Sequence, residues 1–161
     1  MVSGIYSGEQ TENNMRTAGK TQTELLYHSY QEARGTTLTF PQFLNVLNLY
    51  PSLLVCLSDG VLDKEEWEGL MKIARNLAAY DDEGNGELQQ IYQDEFRYLM
   101  DNIDSWQDRF LAALKDHVSS SEGDKEFVLE SMYLFANAAN GISEVEREKI
   151  QVLSEELALA F

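Results

Sequence analysis

Apolar residues recur along the chain at helical spacing, and no stretch alternates apolar and polar positions cleanly. The clearest segment starts at Asp63, an N-cap candidate with Glu66 three residues on. Trp67, Leu70, Met71, Ala74, Leu77 and Ala78 then form one stripe, with Glu65, Glu68, Lys72 and Arg75 on the other faces. Glu68 and Lys72 have the spacing of a favourable pair one turn apart. A first helix is predicted over 22–34, stopped by Gly35. A second begins at Thr39, where Thr39 and Gln42 can form a capping box and Pro41 is tolerated in the first turn; Pro51 is expected to kink or break it. A fourth uses Leu88, Ile91, Tyr92, Phe96, Leu99 and Ile103, and Asp104 with Gln107 is read as capping a fifth. The sixth, about 124–139, is apolar on most faces and is expected to run through the centre. Ser143 with Glu146 caps a seventh that turns Ile150, Leu153, Leu157 and Phe161 inward. The pattern predicts an all-α bundle of about seven helices. Residues 1–38 read as an N-terminal segment and first helix packed on the bundle, and 39–161 as the helical domain.

Two parts of this pattern repeat. SDGVLDKEEWEGLMKIARNLA, 58–78, and ANGISEVEREKIQVLSEELAL, 139–159, each follow an apolar helix. Gly60 matches Gly141. After one loop residue is skipped, Asp63 matches Ser143, Glu66 matches Glu146, and Leu70, Ile73 and Leu77 match Ile150, Leu153 and Leu157. Each copy reads as a helix hairpin: glycine supplies a left-handed turn and a capped helix follows.

Charge narrows the functional classes. The chain of 161 residues has 12 lysines and arginines against 28 aspartates and glutamates, a formal net charge of −16. Residues 59–161 carry −15 of it. With 43% hydrophobic residues the chain is expected to fold rather than to act as an acidic tail. Such a surface repels nucleic-acid phosphates and anionic lipid. No uninterrupted apolar run is longer than that from Leu53 to Leu57, which is far short of the ~20 residues of a membrane span. No signal peptide is visible at the N-terminus, and the single cysteine, Cys56, reads as a buried thiol, so a cytoplasmic location is expected.

The string DGVLDKEE, 59–66, resembles the Asp-Gly-x-x-Ser/Asp-x-x-Glu signature of TerB-like proteins, the helical tellurite-resistance family. The resemblance covers roughly 40–159 and includes the second, degenerate copy. It implies a small, acidic, cytoplasmic protein of tellurite and stress resistance, with protein partners in a stress-resistance complex. It also implies a metal ion at the acidic cluster, which here is Asp59, Asp63 and Glu66. In the second copy Glu146 matches, Asn140 replaces the family's aspartate, and the loop is one residue short.

Read from the residues themselves, Asp59, Asp63, Glu65 and Glu66 gather oxygen ligands around a glycine turn, which suits a divalent cation of calcium or magnesium type. Asp63 and Glu66 also suffice as a helix cap, so capping alone and capping with ion binding both stand. Asp81, Glu83 and Asn85 resemble the first ligands of an EF-hand loop, but Tyr92 stands where its last glutamate belongs, and an acidic connector explains them as well. His117 reads as a packed or rim histidine, and His28 as a surface partner of Glu24 or Glu32. The chain has no His-Glu-x-x-His, Cys-x-x-Cys, Walker loop, dinucleotide fingerprint or Gly-x-Ser-x-Gly elbow. The expectation is a non-enzymatic cation-binding protein, or alternatively a metal-independent acidic adaptor that docks a cationic protein.

Overall fold

The computed structural model describes residues 21–58, 60, 62, 64–81, 86–137 and 141–159. Among them are seven α-helices and no strand: α1 (Gln22–Arg34), α2 (Phe40–Cys56), α3 (Lys64–Asp81), α4 (Glu87–Asp101), α5 (Ile103–Val118), α6 (Glu122–Ala136) and α7 (Glu144–Glu156). The chain is an all-α bundle.

Local chemistry sets most of the helix ends. Thr21 and Thr39 each accept a hydrogen bond from the backbone N–H three residues on, and Glu24 and Gln42 reach back to close the capping box. Gly35 ends α1 with φ 64°, its N–H bonded to the Gln31 carbonyl at 2.7 Å. The α4–α5 junction departs from the expectation. Ile103 belongs to α5, and Asn102, not Asp104, occupies the junction. The Asn102 side chain donates back to the Tyr98 carbonyl at 2.8 Å, which satisfies one of the last carbonyls of α4 within a single residue of connection.

The central helix is α2. Every residue from Val46 to Cys56 is buried, and the helix runs unbroken through Pro51. It packs most extensively on α6 and also touches α1, α4, α5 and α7. Residues on all sides of α2 are thus covered, which keeps it helical despite the N–H that Pro51 lacks. The expectation that α6 is the core helix is corrected: α6 leaves Phe127, Tyr133 and Leu134 exposed. In α3, Leu70, Ala74 and Ala78 are buried while Trp67, Met71 and Leu77 are half-buried. Glu68 pairs with Lys64 at 3.9 Å rather than with Lys72.

Phe110 of α5 is the hub of an aromatic cluster. Its ring lies 4.7 Å from Tyr50, 5.6 Å from Tyr30, 5.7 Å from Phe43 and 6.0 Å from Trp106. The cluster ties α1, α2 and α5 together, and each buried ring contributes roughly 1.5–3 kcal/mol of apolar burial.

Candidate functional site

The two turns singled out by the sequence each hold a glycine in the left-handed region. Gly60 has φ 92° and Gly141 φ 90°, values that L side chains rarely adopt. Each is followed by a helix whose third residue is a buried glutamate, Glu66 at 2% exposure and Glu146 at 5%. Glu146 is held by its cap: its Oε1 accepts from the Ser143 N–H at 3.0 Å, and its own N–H donates to the Ser143 hydroxyl at 3.1 Å. Glu65 points to solvent. Asp59, Asp63, Glu83 and Asn85 lie outside the described residues, as does the side chain of Asp81 at the end of α3. Among the described residues, no three His, Cys, Asp or Glu side chains are placed to hold one metal ion.

Beside the first turn lies a groove of about 500 Å³. Leu54, Leu57 and Ser58 at the end of α2 form its floor, with Ile103 and Gln107 of α5 on one side and Val145 and Val152 of α7 on the other. Glu148 and Lys149 stand between the two valines. Val145 is 48% and Val152 50% exposed. A second groove, about 350 Å³, shares Leu57 and runs past Lys64, Trp67 and Arg97 to Asp101. The end of α2, the start of α3, the start of α7 and the α4–α5 junction therefore meet at one end of the bundle, between two grooves. Neither groove is visible in the sequence, because each is made by residues far apart in the chain.

A buried polar network was missed as well. Glu95 of α4, 4% exposed, accepts from the Tyr30 hydroxyl at 2.5 Å and from Arg34 at 2.9 and 3.3 Å. Arg34 also stacks 4.0 Å over the Tyr98 ring, and the Trp106 indole donates to the Tyr98 hydroxyl at 2.8 Å. Burial, then the bond to Glu95, pushes the Tyr30 hydroxyl well above the ordinary tyrosine range; the bond to Glu95 raises Arg34 further. The network is satisfied by its own members and latches α1 to α4. The available signal was a charge inside the apolar stripe Leu88, Tyr92, Phe96, Leu99.

His117 is half-buried, with Nε2 3.2 Å from Asp124, whose other oxygen accepts from Asn48 at 3.4 Å. These contacts fasten the α5–α6 turn to α2. His28 is exposed with its ring centroid 5.5 Å from that of Tyr27, and its expected partner Glu24 is bound at Thr21 instead. Comparison with protein-family models, curated proteins and solved structures finds no match.

Proposed function

We propose that this chain is a non-enzymatic, TerB-like stress-resistance protein that acts by binding, as an acidic helical adaptor for a cationic protein. The observation that carries the reading is the groove beside the glycine turn, where apolar side chains stay exposed on a chain of net charge −16. Exposed apolar surface rimmed by charge marks interaction sites. The resemblance of residues 59–66 to the tellurite-resistance signature supplies the stress-resistance context. The test is capture from a lysate of the source cell on immobilised chain. A partner held at low salt and released as ionic strength rises above about 0.5 M supports the reading, since screening weakens a charged docking face. Capture that ignores salt, or no capture, sinks it.

A second reading keeps a divalent cation at Asp59, Asp63 and Glu66, with Glu146 as the matching position of the other hairpin. It is favoured by the resemblance of residues 59–66 to the tellurite-resistance signature, with Glu66 buried at the third position of α3 as Glu146 is in α7. Calcium, magnesium, manganese and zinc are added singly to chelator-treated protein, and thermal unfolding is followed. Binding to the folded chain raises the melting temperature by linkage. If no ion does so, or if Asp59→Asn with Asp63→Asn and Glu66→Gln responds as the wild type does, the cation reading fails.

A further inference from the structure

We propose that the groove between α5 and α7 is the docking site of a basic amphipathic helix from a partner protein, anchored on Val145 and Val152; this rests on the adaptor reading and gives its partner a chemistry. The two valines are seven residues apart on α7, two helical turns, and line the same groove over Leu54 and Leu57. A helix laid into such a groove presents its own apolar residues at i, i+3 or i+4 and i+7.

The repeat supplies an internal comparison. The register that matches Ser143 with Asp63 and Ile150 with Leu70 sets Val145 against Glu65 and Val152 against Lys72. Glu65 and Lys72 are both exposed and charged. One hairpin therefore carries charges at the two positions where the other carries half-exposed valines. Packing of the helix does not require apolar residues at these two positions, which leaves both valines available to a partner.

Charge chooses the occupant. The lining itself holds one acid and one base, Glu148 and Lys149, while the side chains of residues 103–109 and of α7 that reach solvent around it count six acids against three bases, Glu146 being buried. A second copy of this chain would bring two acidic walls together and is disfavoured. A helix with lysines and arginines flanking its apolar stripe meets opposite charge on both sides.

The probe is a displayed library of random peptides long enough for about four helical turns, selected on the full chain. Enriched peptides are titrated by fluorescence anisotropy against the wild type, against Val145→Glu with Val152→Lys, and against Glu148→Lys. The double variant takes its residues from the first hairpin; Glu148→Lys changes only an exposed rim charge and keeps the test valid if the double variant unfolds. The expected result is net-positive peptides with the i, i+3/i+4, i+7 apolar pattern. Their affinity falls about tenfold or more on the double variant and several-fold on Glu148→Lys, with circular dichroism unchanged in the latter. Enriched peptides without the pattern, or no enrichment, overturn the proposal. Basic peptides that bind both variants as tightly as the wild type overturn this groove while leaving the adaptor reading, which falls instead with the salt-sensitive capture.

Discussion

Tyr30 and Tyr50 sit in the same aromatic cluster, yet their hydroxyls meet different surroundings. Tyr30 donates to Glu95, whereas the Tyr50 hydroxyl is buried without a hydrogen-bond partner among the described residues. Burial, together with Asp108, also holds the Tyr50 proton above the usual range. Tyr50→Phe is therefore expected to be neutral or stabilising by up to about 1 kcal/mol, while Tyr30→Phe, which strips a donor from a buried carboxylate, destabilises by about 1–3 kcal/mol. Equal losses in thermal unfolding would contradict this. The pH dependence follows from the same two groups. Both keep their protons in the folded chain beyond the ordinary value of about 10, so above that pH the folded state binds more protons than the unfolded state. Their contribution is complete below about pH 10 and is lost as pH rises further, and Tyr50→Phe makes that loss shallower. None of this was legible from periodicity. The spacing places Glu95 within an apolar stripe but cannot name its partner, Tyr30, which lies 65 positions away.

Elements were far more legible, because their ends are local chemistry. The capping boxes at Thr39 and Ser143 and the stop at Gly35 follow from two or three neighbouring residues, and the structure has them where the pattern puts them. The α4–α5 junction failed for a local reason that spacing does not show, namely the side chain of Asn102 bonding backward rather than forward. The rank of α2 over α6 failed for a non-local one. Apolar content alone does not say which helix the others surround. Two glycines separate structure from mere composition at this scale. Gly141 has φ 90°, so Gly141→Ala should destabilise by about 1–2 kcal/mol. Gly123 lies in the first turn of α6 with open space where a Cβ would stand, and Gly123→Ala should stabilise by about 0.5–1 kcal/mol. Chemical denaturation of the two variants distinguishes them by sign.

For the whole molecule, fold class was written in the spacing of apolar residues, and two of the left-handed turn positions in Gly60 and Gly141. The groove was not, since Leu54, Ile103 and Val152 share no local pattern. A net charge of −16 on one bundle also predicts self-repulsion. The melting temperature at neutral pH should rise as sodium chloride is added up to about 0.5 M, where the Debye length falls to a few ångströms. A melting temperature that falls with salt would show that favourable ion pairs outweigh the repulsion.

The pairing of α2 with α6 also orders events in time. α2 is the most completely covered helix, and its main cover begins roughly 65 residues further along the chain, several seconds of synthesis at about 5–20 residues per second. During that interval the ribosome carries a chain whose most apolar segment, Val46 to Cys56, has been made but cannot yet be enclosed. The same segment that gives the finished bundle its centre is thus its chief aggregation hazard while nascent, and shielding it until α6 emerges falls to chaperones or to the early helices α1, α4 and α5.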